Sequence, residues 1–338
     1  MPRTFIYVSC AVSRTVDVFS LDTRTGQTEL RQRLSLPANP SPIRISPDGR
    51  LLLVGLQRES ALMVCTIDRT EGSYGRLSIV GDVPLPGAPV YVNSDHSARH
   101  AFVASYADNL LAVIPLDADG HPVPAVQVET GLPRAHAAVV DGSGQWLLTP
   151  TLGDDAIRRY RLTPDAHLVP GEPPLFKVRA GSGPRHLLFS SDNRRVHCLN
   201  ELDGSVDLFD FDAETGQLDL RQSMRIMPPG FTEAPWSAEL RVTPNGAFLY
   251  TCERRSSTLT ALAVDVRNGQ LSLLGHYPTE TQPRGMAIDP SGRWLAVAGQ
   301  LSGHLSLYAL DPATGHPELC TRIATGDDPI CVDSIALP

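Results

Sequence analysis

Short apolar runs separated by polar turns occupy the chain from end to end. Many alternate apolar and polar residues with the two-residue period of strands, as in Val206-Asp207-Leu208-Phe209-Asp210-Phe211 and Leu305-Ser306-Leu307-Tyr308. No segment sustains a 3.6-residue apolar period, so helix is a minor component. One turn element recurs between apolar runs: Ser46-Pro47-Asp48-Gly49, Ser94-Asp95-His96, Gly142-Ser143-Gly144, Ser191-Asp192-Asn193, Pro244-Asn245-Gly246 and Pro290-Ser291-Gly292. Aligned on Pro47, Ser94, Gly142, Ser191, Pro244 and Pro290, the copies lie 47, 48, 49, 53 and 46 residues apart. A second marker, an Asp or Thr leading into a turn that usually carries Gly, falls near Gly26, Gly72, Gly120, Ala166, Gly216, Gly269 and Gly315. Asp22-Thr23-Arg24-Thr25-Gly26-Gln27 and Asp212-Ala213-Glu214-Thr215-Gly216-Gln217 are nearly the same hexapeptide.

Seven markers in 338 residues give a unit of about 48 residues, enough for four short strands. Repetition of that length predicts an all-β fold, a seven-bladed β-propeller spanning residues 1–338 as one domain. The ends complement each other. The N-terminus supplies two strands, Phe5–Cys10 and Thr15–Leu21, before the first full unit, and Pro329–Leu337 reads as the opening strand of an unfinished one. Joining them in one blade removes exposed edges that would otherwise pair with other chains.

Composition agrees with this reading and narrows the function. The 27 glycines and 29 prolines exceed the typical share of about 12% and mark many turns. A net charge of −8 argues against a general binder of nucleic acid or anionic membranes. No apolar run reaches the ~20 residues of a membrane helix, and Met1–Val12 reads as a strand rather than a signal peptide. The six cysteines never form CxxC and mostly sit in strand-like runs, as buried thiols in a reducing, cytoplasmic compartment would.

Propellers bind ligands at the mouth of the central channel, so the repeat register selects a site. Six residues before each turn lie Ser41, Ala88, His136, Arg185, Ala238 and Arg284; one position later lie Pro42, Pro89, Ala137, His186, Glu239 and Gly285. The loops between second and third strands place Gln57, Tyr106, Leu152, Glu201, Arg254 and Gln300 in a shared slot. Several charges converging on one axis repel unless a ligand or counter-charge joins them. With two or three Arg and one Glu there, the expected ligand is anionic or rich in hydroxyls, held by a locally electropositive mouth in an acidic protein. Trp236 is a candidate pocket wall or core residue.

Other signals are bland. Asp154-Asp155 and Asp327-Asp328 read as solvated pairs, and His96, His100, His121, His167 and His316 fall in turns. The ten histidines form no HxH or HExxH, so no metal site is expected. P-loop, GxGxxG and GxSxG signatures are absent.

The segments Gly183-Pro184-Arg185-His186, Asn200-Glu201-Leu202, Thr279-Glu280-Thr281-Gln282-Pro283-Arg284-Gly285 and Ala298-Gly299-Gln300 resemble the bacterial propeller-type 6-phosphogluconolactonases. These belong to the seven-bladed lactonase superfamily, which is similar to the carboxymuconate lactonizing enzymes of fungi. The likeness covers essentially the whole chain and is densest from Gly181 to Tyr308. In that superfamily a His, a Glu and two Arg at the channel mouth form the proposed functional set. The resemblance carries these roles to His136, Glu201, Arg185 and Arg284, and Arg254 in Cys252-Glu253-Arg254 matches a further Arg. Tyr91 stands where the closest enzymes carry a His, and Asp327-Asp328-Pro329-Ile330 replaces a Gly-rich, aromatic version.

The implied activity is hydrolysis of 6-phospho-D-glucono-1,5-lactone in the pentose phosphate pathway, with no cofactor and no metal. A base must activate water, and a donor must stabilise the oxyanion. His136 or Glu201 is the expected base and Arg185 the group that polarises the carbonyl. Arg284 and Arg254, with His186, are expected to hold the phosphate, and Asn200, Gln300 and Tyr106 complete the substrate contacts. The expected partner is a small anionic sugar lactone, bound by a monomer or homodimer, with neither nucleic acid nor membrane. The alternatives are a lactonase or cycloisomerase for an unphosphorylated or dicarboxylic sugar acid, and a non-catalytic scaffold.

Overall fold

A computed structural model describes residues 3–338; the first two residues of the Met1–Val12 run lie outside them. Among the described residues there are 28 strands and no helix, arranged as seven antiparallel four-stranded sheets around an axis. The innermost strands are, in order, Pro40–Ile45, Tyr91–Ser94, Val139–Val140, Pro184–Phe189, Ser237–Val242, Pro283–Ile288 and Pro329–Leu337, and they open blades 1 to 7.

Blade 7 closes the ring. Its inner strand comes from the C-terminus and pairs antiparallel with Arg3–Cys10, in one register from Arg3 opposite Leu337 to Ser9 opposite Cys331 and shifted by one residue at Cys10, opposite Pro329. The N-terminus contributes three strands to this blade rather than the expected two, because Thr28–Ser35 pairs along Thr15–Leu21 as its outer edge. That outer strand is half exposed and its apolar signal is correspondingly weak.

Both sequence markers have a structural cause. In the turn after the first inner strand, Ser46 Oγ donates to Asp48 at 2.6 Å, Asp48 accepts the Arg50 amide, and Gly49 adopts φ +68°. The left-handed conformation there is what glycine supplies at no steric cost. Asp141 and Asp289 anchor the matching turns, each accepting three following backbone amides.

The second marker is where consecutive blades dock. At Gly26, Gly216 and Gly315 a Cβ would run into Trp294, Trp146 and Phe248 of the preceding blade. The same junctions carry hydrogen bonds from Trp294 Nε1 to Thr23 O, Trp146 Nε1 to Ala213 O and Tyr250 OH to Gly315 O. In blade 1 the expected Gly72 lies in open space. Gly75 takes its place beneath Phe5 and accepts the Tyr7 hydroxyl at 2.9 Å.

Packing is between blades, in clusters that combine side chains of neighbouring sheets, such as Ile6, Phe19 and Val332 with Trp294 and Leu307. Outer strands are shifted by one residue at Val18/Phe19, Val64/Cys65, Leu208/Phe209, Ala261/Leu262 and Leu307/Tyr308. Such bulges twist an edge away from further pairing. Four cysteines are buried as expected, whereas Cys320 is exposed and Cys331 is partly so, facing the axial channel.

Candidate active site

A second set of bulges, on inner strands, builds the site. Pairing slips between Pro184 and His186, between Ser237 and Glu239, and between Pro283 and Gly285. A bulge puts two residues opposite one and re-aims their side chains. Arg185 and His186 therefore both reach the axial channel, as do Arg284 and Glu239 from the neighbouring blades. Gly285 is forced: a Cβ there would lie 2.5 Å from Ile330 O, because the inner strand of blade 7 crosses at that point. His136 precedes the short inner strand of blade 3, with its amide bonded to Pro150 O at 3.1 Å.

The charges are tied in a chain that runs round the mouth. Glu201 Oε2 lies 2.8 Å from Arg185 Nε and 2.8 Å from Arg254 Nη2. Arg254 also donates to Trp236 O and Ser237 O, and its guanidinium stacks 3.9 Å from the Trp236 ring centre. Trp236 is thus the wall behind Arg254. On the other side, His186 Nδ1 and Arg241 Nη1 both meet Glu239 Oε1, at 2.7 and 2.9 Å. Arg185 Nη1 lies 3.1 and 3.4 Å from the two ring nitrogens of His186. Such nearly equal distances place it over the ring face rather than on a lone pair, the stacking that guanidinium favours.

Aromatic rings form the opposite arc. Tyr91 meets His186 edge-on at 5.3 Å, His186 meets His136 at 5.2 Å, and His136 meets Tyr106 at 5.9 Å. His136 is buried, and its Nδ1 has no hydrogen-bond partner. Burial first, then the Arg185 cation, push His136 well below the usual histidine range. The same two causes bring His186 down to about 4. Glu239 would be raised by burial, but Arg241 and His186 outweigh that and hold it at about 2. Both rings are therefore neutral at pH 7, and Glu239 is ionised.

One guanidinium stands apart. Arg284 is largely covered, yet it makes no hydrogen bond or ion pair among the described residues. Burial and the nearby Arg185 charge lower its proton affinity, as they lower that of Arg254 to about 9. The Asp328 and Glu201 carboxylates offset part of that loss for Arg284.

Of the residues singled out by sequence, His136, Arg185, His186, Glu201, Arg254, Arg284 and Tyr106 come together. Asn200 does not. It is fully buried and donates to Ser205 Oγ and Asp207 Oδ2, bracing its own blade. Gln300 is engaged by Gln282, whose Nε2 donates to it at 2.8 Å. Glu239 was visible as a register position but without a role, since its importance depends on His186 in the adjacent blade. Among the described residues, the one cluster with metal-ligand spacing is the exposed turn Asp117, Asp119 and His121.

A propeller whose channel mouth gathers arginines, two carboxylates and neutral imidazoles defines a class that carries the groups hydrolysis needs, a donor for an oxyanion and a base for water. The comparisons specify it. Residues 4–334 match the family described as lactonase, 7-bladed beta-propeller, and the chain belongs to that family. It is 36% identical over 334 residues to the 6-phosphogluconolactonase of Serratia proteamaculans, covering 99% of both chains. It is likewise 36% identical to the 6-phosphogluconolactonase of Pectobacterium carotovorum, covering 98% of both. Among solved structures, the periplasmic gluconolactonase of Pseudomonas aeruginosa superposes with a TM-score of 0.92 at 30% identity, covering 99% of this chain and 100% of that one.

Proposed function

We propose that this protein hydrolyses 6-phospho-D-glucono-1,5-lactone to 6-phosphogluconate. The observation that carries the phosphorylated substrate is Arg284, a half-buried guanidinium that makes no hydrogen bond or ion pair among the described residues, and whose proton affinity burial and Arg185 lower by more than the Asp328 and Glu201 charges restore. A phosphate paired with it forms charge-assisted hydrogen bonds, which are about twice as strong as neutral ones. Arg254 has Nε and Nη2 engaged by Trp236, Ser237 and Glu201, which leaves Nη1 as the nitrogen with which it meets the phosphate.

Arg185 is positioned to polarise the lactone carbonyl. Glu201 pairs with its charge, 2.8 Å from Nε, and the His186 ring lies against Nη1, while the Nε N–H makes no hydrogen bond among the described residues. Glu201 acts as a tether, since its Oε2 already serves two guanidiniums, and a neutral imidazole accepts the proton from water. Ring opening then needs one base and one donor, with general base catalysis supplying about 10²–10⁴-fold. Four buried thiols fit a reducing compartment, and we place the protein in the cytoplasm.

The second reading is a lactonase for the unphosphorylated sugar, favoured by the Pseudomonas gluconolactonase at 30% identity. Initial rates on freshly generated 6-phosphogluconolactone and on glucono-δ-lactone, each corrected for spontaneous hydrolysis, decide between them. A preference for the phosphorylated substrate supports the proposal, and a preference for the plain sugar lactone supports the second reading.

A further inference from the structure

His136, Glu201 and His186 all face the channel, but they differ in what stands behind them. Glu201 has its Oε2 committed to two cations. His136 is backed by no acid: its Nδ1 is buried without a partner. An imidazolium forming there would have only arginines and another imidazole around it, which disfavours the charge. His186 alone has a carboxylate behind the ring, Glu239 Oε1 at 2.7 Å from Nδ1. Glu239 is in turn fixed by Arg241 Nη1 at 2.9 Å and by the Leu240 amide at 3.2 Å.

We propose that His186 is the general base of this lactonase and that Glu239 is its positioning residue. The proposal rests on lactone hydrolysis as the activity. Glu239 holds the proton on Nδ1 and leaves the Nε2 lone pair in the ring plane, where Arg185, stacked on the face, does not use it. This is the base-and-orienter pairing that activates nucleophiles on many unrelated folds. Water attacks the lactone carbonyl carbon while its proton passes to Nε2. The oxyanion forms beside Arg185. Collapse breaks the bond from the carbonyl carbon to the ring oxygen, and the proton on Nε2 passes to that oxygen as it leaves. The product acid then loses its proton to solvent, and His186 is neutral again.

The charged and titratable groups facing the cavity around His186 come from every blade: Arg185 on its own strand, Glu239 and Arg241 on blade 5, Tyr91 on blade 2, His136 before blade 3, Arg284 on blade 6, Cys331 on blade 7 and Arg44 on blade 1. Burial first, and then the Arg185 cation, keep the ring neutral. A bound phosphate offsets the cation and raises the ring's proton affinity, so the substrate's own charge strengthens the base that attacks it.

The test uses the intact protein with 6-phosphogluconolactone. His186→Ala should lose about 10²–10⁴-fold in kcat with KM little changed. Added imidazole should restore rate in proportion to its unprotonated form, in His186→Ala but not in Arg185→Ala. Glu239→Gln keeps the acceptor oxygen and removes the charge. It should lower the plateau of kcat/KM and move its acid limb to lower pH, because His186 loses the carboxylate that favours its protonation. That readout does not depend on His186→Ala folding. Wild-type hydrolysis with no imidazole rescue and an unmoved acid limb would overturn the assignment and leave the lactonase function standing. So would a larger kcat loss in His136→Gln than in His186→Gln. Absence of hydrolysis by the wild-type protein would remove the function itself.

Discussion

Replacing Arg284 by alanine separates phosphate recognition from lactone chemistry. The side chain makes no hydrogen bond or ion pair among the described residues, so its removal breaks none; it relieves burial of a charge and repulsion with Arg185, which outweigh the longer-range attraction of Asp328 and Glu201. The melting temperature should be unchanged or raised. In the complex, a hydrogen bond to a charged group contributes about 1.5–3 kcal/mol. One or two such bonds to phosphate amount to about 2–4 kcal/mol after the remaining solvent access of the channel weakens them. At about 1.4 kcal/mol per factor of ten, kcat/KM for 6-phosphogluconolactone should fall by about 30- to 1000-fold, mainly through KM. Glucono-δ-lactone offers no phosphate to Arg284, and its kcat/KM should fall less than about tenfold. The assay follows acid release at neutral pH with the spontaneous rate subtracted. Equal losses on the two lactones would refute Arg284 as the phosphate contact, and a large loss of folding stability would show that it is paired within the protein.

Four further outcomes follow from the same geometry. Glu201→Gln removes the charge between Arg185 and Arg254 and should cost about 3–5 kcal/mol of stability, read by urea unfolding, as well as most of kcat/KM. Asn200→Ala should lose about 1–3 kcal/mol of stability while the folded fraction keeps its KM, because this side chain braces Ser205 and Asp207 away from substrate. Gly285→Ala, whose Cβ would press on Ile330 O, should cost about 1–3 kcal/mol and weaken binding of the phosphorylated lactone by displacing Arg284. Glu280 is held at about 2 by the Arg322 hydrogen bonds, with burial opposing. Its folded value is depressed, so its contribution is present above the ordinary value of 4.5 and is lost as pH falls toward 2; Arg322→Gln should move the acid-unfolding midpoint to higher pH.

The fold was largely legible because its determinants are local and repeated. Ser46-Pro47-Asp48-Gly49 and its counterparts report a turn whose side-chain bonds close within five residues. The Gly26 and Gly216 hexapeptides report a docking surface met once per blade. Thr28–Ser35 escapes notice as part of the closing blade because an outer strand with one wet face carries little apolar signal. The Gly72 position misleads because the blade 1 turn is longer, and the constraint imposed by Phe5 falls on Gly75.

The site was legible as a set of slots but not as a set of partners. Spacing put His186 and Glu239 at equivalent positions in consecutive blades, yet only bulges at Arg185 and Ala238 bring Nδ1 within 2.7 Å of the carboxylate. Nothing along the chain distinguishes Arg254, whose Nε and Nη2 are held by Glu201 and two carbonyls, from Arg284, which makes no hydrogen bond or ion pair among the described residues. Asn200 is the last residue of the strand Arg195–Asn200 and turns its side chain into the blade, whereas Glu201 opens the turn that follows and heads for the channel. That difference in direction is why one reaches the channel and the other the blade interior.

The most direct measurement is the ratio of kcat/KM for 6-phosphogluconolactone to that for glucono-δ-lactone, taken on the purified wild-type protein with spontaneous hydrolysis subtracted. An electropositive mouth with Arg284 unpaired predicts a ratio of about 30 or more, the worth of one or two phosphate bonds. A ratio at or below one, or no rate above the spontaneous background on either lactone, would contradict it.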